Sequence, residues 1–264
     1  MSTYVMSDIH GCYDELMKML EKIQFSSDDT LIIAGDYMDR GSQSLEMLDW
    51  ILGAPDNVVL IKGNHDVGFV EYVRFLDALK KQVDYKIEDD SVEDTQRLYR
   101  DTRHIADSSW STFDYYGTLR ELIIEKGVSL TRLKKWSSVL RELPYIYETN
   151  INENHFVIVH AGYIEPERLC GNYSSVEYFY LCARDGAYME GGKKDSTVIA
   201  GHTPTISHQY MMYTGGKIYK HYNKYINCRF YDIDCGCVYR EVFGEGNLAC
   251  LRLEDEKEFY LYED

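Results

Sequence analysis

Five short stretches of the sequence place carboxylate, imidazole or amide side chains beside glycine at the end of a predicted strand. In chain order they are Asp8-Ile9-His10-Gly11, Gly35-Asp36-Tyr37-Met38-Asp39-Arg40-Gly41, Gly63-Asn64-His65-Asp66, His160-Ala161-Gly162 and Gly201-His202-Thr203. Oxygen and imidazole nitrogen donors without a thiolate suit manganese, iron or zinc. Loops that follow strands are both fixed and exposed, so this pattern predicts chemistry at a divalent metal centre.

Each residue taken singly has an ordinary structural explanation. An aspartate after a glycine is common in turns, and a single histidine at a strand end is usually packed or caps the backbone. Turns do not explain six such residues in order at five strand ends, flanked by glycines. We therefore interpret the set as the ligands of one metal centre: Asp8, His10, Asp36, Asn64, His160 and His202.

Asp36 has the chemistry of a bridging ligand, because one carboxylate can bind two cations. A two-metal site holds both the attacking and the leaving oxygen of an in-line displacement. A water molecule between the two cations would be acidic enough to act as the nucleophile at neutral pH. The motifs therefore predict hydrolysis by a metal-activated water at a dinuclear centre.

Apolar strands and amphipathic helices must position these side chains. The predicted strands before the motifs cover residues 3–7, 31–34, 58–61, 156–159 and 197–200. Continuous apolar runs mark strands that are buried on both faces, and the ligands of such sheets lie beyond the carboxyl ends of the strands. We therefore expect an α/β fold with the five motifs along one rim of its sheet.

Residues 67 to about 150 interrupt this alternation with tyrosines, charges and helical periodicity. We predict a helical cap inserted into a single domain that covers residues 1–264, and we interpret the acidic run at residues 84–94 as a solvated loop. Beyond about residue 209, alternating aromatic and polar residues predict hairpins. The expected strands there cover residues 225–234, 238–243, 248–253 and 258–262.

Composition and charge narrow the class of protein. Hydrophobic residues make up 45% of the 264 residues and charged residues 27%, which is typical of a globular protein with its own core. The formal net charge of −16 opposes binding to duplex nucleic acid or to an anionic membrane, so local cations must attract any anionic substrate. The seven cysteines form no pattern, and the sequence has no export signal or long apolar span. We therefore expect reduced thiols in a cytoplasmic protein.

Together the five motifs resemble the signatures of the calcineurin-like metallophosphoesterases. The Gly-Asp-x-x-Asp-Arg-Gly element at residues 35–41 is similar to the phosphoprotein phosphatase branch, which includes lambda-phage-type serine/threonine protein phosphatases and symmetrical diadenosine tetraphosphate hydrolases. The resemblance implies a four-layer α/β/β/α sandwich and two divalent metal ions, with manganese expected first and iron or zinc as alternatives. The ligands it implies are Asp8 and His10 on the first ion, Asp36 between the two, and Asn64, His160 and His202 on the second.

The same resemblance gives roles to residues that are not ligands. His65 would protonate the leaving oxygen, and Asp39 would hold the His65 ring and raise its pKa. Pairing of Asp39 with Arg40 is the structural alternative. Arg40 would bind two phosphoryl oxygens at once through its planar guanidinium. Asp66 is expected at the start of a helix rather than on a metal.

A second phosphate-binding arginine is expected between the fourth and fifth motifs. Arg184 lies about where lambda-type enzymes carry theirs, although Cys182 stands where those enzymes have a tryptophan. An ion pair with Asp185 is the structural alternative for Arg184, and Arg168 is the alternative residue for the role.

Three functions are compatible with the sequence, and the partner of the first two is a phosphorylated protein or a nucleotide. The first expectation is a bacterial-type serine/threonine protein phosphatase, which the motif at residues 35–41 and the short stretch from His160 to His202 favour. The alternative is a symmetrical diadenosine tetraphosphate hydrolase, which the segment at residues 10–16 and Asp66 favour. The tyrosines at residues 210–231 could stack a base there, but the outward face of a hairpin is the favoured explanation for them. A metal-free binding module of the same fold predicts losses among the ligands, and none is lost.

Overall fold

The computed structural model describes residues 1–109, 116–169 and 173–263. Within these residues the strands form two five-stranded sheets. The first sheet, in spatial order, consists of β10 (Lys257–Tyr260), β9 (Ala249–Arg252), β1 (Thr3–Met6), β2 (Thr30–Ile33) and β3 (Val58–Leu60). The second consists of β4 (Ile146–Ile151), β5 (Asn154–Val159), β6 (Ser196–Ala200), β8 (Cys228–Asp232) and β7 (Tyr219–Asn223).

Helices surround the two sheets. In the described residues the α-helices are α1 (Tyr13–Lys22), α2 (Ser44–Leu52), α3 (Asn64–Leu79), α4 (Val92–Ser109), α5 (Thr118–Arg120), α6 (Leu130–Glu142), α7 (Val176–Cys182), α8 (Asp185–Met189) and α9 (Tyr239–Phe243). Helical turns of other pitch lie at Lys80–Gln82, Glu121–Glu125 and Pro166–Arg168. None of the described helices combines the length and apolar character needed to cross a membrane. The cysteines of the described residues are free thiols, and Cys170 lies outside those residues.

Alternation of side chains along the strands separates the layers of the fold. On β1, Met6 packs in the core formed with α1 and α2, whereas Val5 faces the second sheet. On β5, Ile158 faces the first sheet, whereas Val157 packs with Phe179 of α7. Successive strand residues point to opposite faces, so helices cover the outside of both sheets. The predicted four-layer α/β/β/α sandwich is confirmed, and each fully buried isoleucine or valine contributes about 1.5–3 kcal/mol to it.

The strands that carry the five motifs belong to two different sheets. β1, β2 and β3 run parallel in the first sheet, with Met6 opposite Ile33 and Ile33 opposite Leu60. β5 and β6 run parallel in the second, with Ile158 opposite Ile199. The prediction that all five motifs lie along one rim of a single sheet is therefore wrong. The motifs meet where the rims of two sheets face each other. An apolar run does not distinguish a strand between two helix layers from a strand between a helix layer and a second sheet, since both are buried on two faces.

The inserted helical region runs from α3 to α6, which pack on each other and on the first sheet. Phe69 of α3 and Trp136 of α6 lie in the same core as the side chains of α1 and α2. The strand β4 falls inside the range predicted as helical and pairs antiparallel with β5, with Ile146 opposite Val159. β4 is an edge strand with polar residues on its outer face, so it lacks the continuous apolar run of the central strands.

The acidic run at residues 84–94 is not simply a solvated loop. The carboxylate of Asp89 pairs with Lys80 at 2.8 Å and with Lys134 at 2.6 Å. The backbone amide of Thr131 also donates to the carbonyl oxygen of Asp89 at 2.9 Å. These contacts hold the loop against the end of α3 and the first turns of α6.

Residues 239–243 form the helix α9 where a strand was expected. The rings of Tyr239 and Phe243 stack with centroids 6.0 Å apart, and the helix ends at Gly244, whose φ is 74°. Side chains four residues apart meet on a helix, and glycine adopts the left-handed conformation that ends one. The spacing of the aromatic residues therefore fits a helix as well as a strand.

Candidate active site

The carboxylate of Asp36 lies at the centre of the residues that the motifs contribute. Its Oδ2 is 3.5 Å from Nε2 of His10 and 3.5 Å from Nε2 of His160. Asp36 belongs to two groups of potential metal ligands, one with His10 and His65 and the other with His160 and His202. The ligand atoms of each group lie within 4.8 Å of one another. Two ligand clusters that share one carboxylate have the composition expected of a dinuclear site.

Asp8 and Asn64 complete the set of six predicted ligands. Oδ1 of Asp8 is 3.9 Å from Nε2 of His10, and Oδ2 accepts a hydrogen bond from the backbone amide of His202 at 3.0 Å. Oδ1 of Asn64 is 2.9 Å from Nε2 of His160. The structure therefore brings all six residues together, from loops of both sheets.

Backbone carbonyls fix the imidazoles of two predicted ligands. Nδ1 of His10 donates to the carbonyl oxygen of Met38 at 2.9 Å, and Nδ1 of His160 donates to that of Ala34 at 2.8 Å. A carbonyl oxygen can only accept, so each ring carries its proton on Nδ1 and directs the lone pair of Nε2 towards Asp36. Metal-binding histidines typically make such a hydrogen bond through the ring nitrogen that does not bind the metal, and it fixes the orientation of the ring.

The lone pair of His160 faces two other acceptors. Oδ1 of Asn64 lies 2.9 Å away and Oδ2 of Asp36 lies 3.5 Å away. Three acceptor atoms at these distances repel one another unless a cation neutralises them. The donor set therefore fits a divalent metal ion.

The charge states of the cluster also suit metal binding. Burial, together with the nearby Arg40 guanidinium, lowers the pKa of His10 well below its usual value. Burial and the neighbouring His160 do the same to the pKa of His202. Burial raises the pKa of Asp36, but the surrounding histidines, His160 foremost, outweigh it and leave that pKa below its usual value. The lowered pKa values of His10 and His202 favour neutral imidazoles, and that of Asp36 favours an ionised carboxylate, which are the protonation states that a metal requires.

Backbone strain concentrates in the same loops. Among the described residues, several non-glycine residues of the motifs have a positive φ: Asp8, His10, Asp36, Asp39, Arg40 and His202. Such conformations cost on the order of 1 kcal/mol or more each and persist only where packing enforces them. Glycine permits the close packing, since a Cβ at Gly63 would lie 2.3 Å from Oδ1 of Asp36 and one at Gly201 would lie 2.1 Å from Oδ2 of Asp8.

His65 and Asp39 form a buried pair beside the cluster. Nδ1 of His65 lies 2.7 Å from Oδ2 of Asp39, and its Nε2 lies 3.9 Å from Oδ2 of Asp36. Burial lowers the pKa of His65, but the carboxylate of Asp36 and the hydrogen bond to Asp39 outweigh burial and raise it. Asp39 is therefore directed at His65 rather than at Arg40.

The guanidinium of Arg40 bridges two imidazoles. Nη1 lies 2.8 Å from Nε2 of His10, and Nη2 lies 3.0 Å from Nε2 of His65. Arg40 thus directs two donors into the space between the first ligand cluster and the predicted acid. The lone pair of His10 can serve either a metal ion or Arg40, so metal binding must displace one of these contacts.

Of the two candidate arginines in the second half, Arg184 lies next to the cluster. Its Nη1 donates to the carbonyl oxygen of His202 at 3.2 Å, and its guanidinium lies 4.7 Å from the ring centroid of Tyr210. Arg168 instead donates to the backbone carbonyls of Gly192 and Glu190, at 3.0 and 2.8 Å. Arg168 therefore binds backbone carbonyls away from the cluster, and Arg184 is the arginine that lies beside the predicted ligands.

Asp66 lies at the start of α3, as expected. Its carboxylate is fully buried and accepts hydrogen bonds from the backbone amide of Gly63 at 2.6 Å and from that of Tyr37 at 3.2 Å. Burial, reinforced by the charge of Asp36, raises the pKa of Asp66 to about 7. Asp66 thus supports the loops that carry the ligands without being one.

Sequence reasoning missed two residues of the inserted region. Thr118 donates a hydrogen bond from Oγ1 to Oδ1 of Asp39. The ring of Tyr116 lies 4.9 Å from that of His65, and the Arg40 guanidinium carbon lies 5.2 Å from its centroid. Neither residue is a usual metal ligand and neither belongs to a motif, so the sequence gives no local signal for them.

Two sheets whose facing rims hold one carboxylate between two histidine clusters have the arrangement expected of a metal-binding site. The model of the calcineurin-like phosphoesterase family matches residues 1–235. The chain belongs to this family.

Individual relatives match shorter parts of the chain. A symmetrical bis(5'-nucleosyl)-tetraphosphatase of Buchnera aphidicola subsp. Baizongia pistaciae is 48% identical over 71 residues, which are 26% of each chain. The protein of the same name from Klebsiella pneumoniae is 48% identical over 68 residues, 25% of this chain and 24% of that protein. The chain thus spans about a quarter of the length of the curated relatives it matches. A solved structure described as a putative diadenosine tetraphosphatase has a TM-score of 0.52 at 18% identity, over 98% of this chain and 91% of that chain.

Proposed function

We propose that this chain is a dinuclear metallohydrolase that cleaves symmetrical dinucleoside tetraphosphates into two nucleoside diphosphates. The observation that supports a dinuclear centre is the carboxylate of Asp36, which both ligand clusters share. The preference for a nucleotide substrate rests on the relatives named as symmetrical bis(5'-nucleosyl)-tetraphosphatases. A phosphoserine or phosphothreonine protein, the first expectation from the sequence, is the second candidate substrate. The motif at residues 35–41 and the compact stretch from His160 to His202 favour it.

The ligand set would divide around Asp36. Two divalent cations, proposed as manganese, would when bound acidify a water molecule and neutralise charge on the phosphoryl group. The proposed ligands are Asp8 and His10 for the first cation, Asn64, His160 and His202 for the second, and Asp36 for both. In this assignment His65 is a neighbour of the first cation and not its ligand.

Arg40 and Arg184 would orient the phosphates. Arg40 directs two donors towards the ligand cluster from the side of His10 and His65, and a planar guanidinium matches two phosphoryl oxygens. Arg184 lies on the other side, beside His202. A tetraphosphate chain has anionic groups on both sides of the bond that breaks, so cations on both sides of the ligand clusters suit it.

His65 would give a proton from Nε2 to the leaving oxygen, because its Nδ1 is bound by Asp39. The two candidate substrates need this proton to different extents. The alkoxide of serine or threonine is strongly basic, whereas a nucleoside diphosphate leaves as a weakly basic oxyanion. Removal of His65 should therefore impair hydrolysis of a phosphopeptide more than hydrolysis of a dinucleoside tetraphosphate.

A direct comparison of substrates tests the proposal. The purified protein with manganese would be assayed on diadenosine tetraphosphate, a phosphoserine peptide, a phosphothreonine peptide and para-nitrophenyl phosphate, each with a chelator control. We expect the highest kcat/KM on diadenosine tetraphosphate, with the diphosphate as the only nucleotide product. A higher kcat/KM on the phosphopeptides would replace the proposed substrate with the second candidate. Chelator-insensitive hydrolysis would reject the metal-dependent mechanism. No hydrolysis of any substrate would reject the enzyme and leave the binding module.

A further inference from the structure

One turn of the inserted helical region reaches into the site beside the proposed acid. Gly117 adopts a φ of 74°, in the left-handed region that glycine tolerates, and it lies directly before α5. Its neighbours Tyr116 and Thr118 both contact the residues around His65. Thr118 is separated from Asp39 by 79 positions in the sequence. The inserted region is therefore part of the site and not only a cover over it.

Thr118 holds the carboxylate of Asp39 from the side opposite His65. The threonine side chain is buried, and its Oγ1 donates to Oδ1 of Asp39, while Oδ2 faces Nδ1 of His65 at 2.7 Å. Rotation about the terminal bond of an aspartate is weakly restrained, so a carboxylate with one partner can turn its plane. A donor on each oxygen fixes that plane and, through it, the direction of the imidazole.

Aromatic packing restrains the imidazole itself. The ring of His65 contacts that of His10, with centroids 4.8 Å apart at 89°, and that of Tyr116, with centroids 4.9 Å apart at 48°. Tyr116 also lies over the guanidinium of Arg40. With Nδ1 bound by Asp39, His65 has only Nε2, which also faces Arg40 at 3.0 Å, for contact with a substrate.

We infer that Thr118 is a positioning residue for proton donation by His65, and that the inserted region takes part in the reaction through it. The inference rests on the proposed role of His65 as the acid. Proton donation depends on placing Nε2 within hydrogen-bond distance of the leaving oxygen. Loss of the Thr118 hydroxyl leaves the acid in place but allows Asp39 and His65 to turn away from that geometry.

Substrates that differ in the basicity of their leaving groups separate this role from a structural one. Thr118→Val removes the hydroxyl and keeps the shape, and Thr118→Ser keeps the hydroxyl. Phenyl phosphate needs a proton on its leaving oxygen, whereas 2,4-dinitrophenyl phosphate does not. We expect Thr118→Val to lower kcat for phenyl phosphate by about tenfold, part of the 10²–10⁴ that proton transfer contributes, and to leave 2,4-dinitrophenyl phosphate within about twofold.

The controls decide between the explanations. Thr118→Ser should restore the hydrolysis of phenyl phosphate. Thr102→Val should change neither substrate, because Thr102 is an equally buried threonine of the same region whose hydroxyl donates within α4 to the carbonyl oxygen of Leu98 at 2.6 Å. Metal content should be unchanged throughout. If Thr118→Val is insoluble, Thr118→Ala provides the same comparison without the added methyl group.

Two results would overturn the inference. One is an equal loss on both substrates with Thr118→Val, and the other is a failure of Thr118→Ser to restore phenyl phosphate hydrolysis. His65→Asn separates this inference from the function on which it rests. A selective loss on phenyl phosphate with His65→Asn but not with Thr118→Val rejects only the role of Thr118. The absence of such selectivity in His65→Asn rejects the proposed acid as well.

Discussion

The backbone amide of Asp36 donates to the buried carboxylate of Asp66 at 3.0 Å, so a residue at the start of α3 holds the loop that carries the shared ligand. The same carboxylate oxygen accepts from the amide of Gly63. The loops after β2 and β3 are thus joined by hydrogen bonds from their backbone amides to one side chain. This arrangement gives a direct prediction for stability and metal affinity.

Asp66→Ala should weaken both properties, because it leaves three buried backbone amides without an acceptor. Each unpaired buried donor costs roughly 1–3 kcal/mol, so the free energy of unfolding should fall by at least about 2 kcal/mol in urea titrations. Loss of a residue that orients ligands typically lowers metal affinity about 10–100-fold, which calorimetry would measure. Asp56→Ala, at an exposed position before β3, should change neither quantity. Unchanged manganese affinity in a folded Asp66→Ala protein would contradict the prediction.

His65→Asn should keep both metal ions and lose turnover. The proposed acid contributes on the order of 10²–10⁴ to the rate on a substrate with a basic leaving group, and its Nδ1 is bound by Asp39 and not by a metal. Elemental analysis would measure the metal content, and kcat on a phosphopeptide would measure the turnover. His155→Asn is the matched control, since His155 pairs with Glu148 at a distance from the cluster. Loss of a metal ion from His65→Asn would show that His65 is a ligand.

Arg40→Lys and Arg184→Lys should both lower kcat/KM while leaving metal content unchanged. A lysine keeps the charge but loses the planar fork, and a hydrogen bond to a charged group is worth about 1.5–3 kcal/mol, or about 10–100-fold in rate. Arg168→Lys should have no kinetic effect, because Arg168 donates to backbone carbonyls away from the ligands. A kinetic loss with Arg168→Lys and none with Arg184→Lys would exchange the roles of the two arginines.

Manganese should stabilise the protein through residues of both sheets. At a free concentration 100-fold above the dissociation constant, one bound ion raises the free energy of unfolding by about 2.7 kcal/mol. Urea titrations with manganese and with a chelator would measure the difference. His202→Ala should lose much of it, because His202 is a predicted ligand from the second sheet. An identical shift in wild type and His202→Ala would place the ion elsewhere.

The clustering of the proposed ligands could be predicted from the sequence because each one lies within a few residues of the strand that carries it. Asp8, His10 and His160 follow apolar strands directly, and the strand and the ligand are visible in the same short window. The motif at residues 35–41 holds Asp36, Asp39 and Arg40 together for the same reason. Local patterns of this kind can be recognised without knowledge of the tertiary fold.

The assignment of strands to sheets and the contribution of the inserted region could not be predicted in this way. Pairing of β9 with β1 joins residue 251 to residue 5, and no local pattern encodes it. The edge strand β4 and the helix α9 were misjudged because a half-buried segment satisfies more than one periodicity. Thr118 reaches Asp39 only after α3, α4 and α5 have packed. Its role depends on tertiary contact alone.

The division of the ligands between two sheets also sets an order of events during synthesis. Asp36 is translated before His202, and β9 and β10, which complete the first sheet, follow both. A nascent chain emerging from the ribosome therefore carries only fragments of the chelating geometry. Because the proposed ligands come from both sheets, we expect metal binding to require that the two sheets have packed together. A truncated product that ends before residue 202 would lack one of the proposed ligands of the second cation.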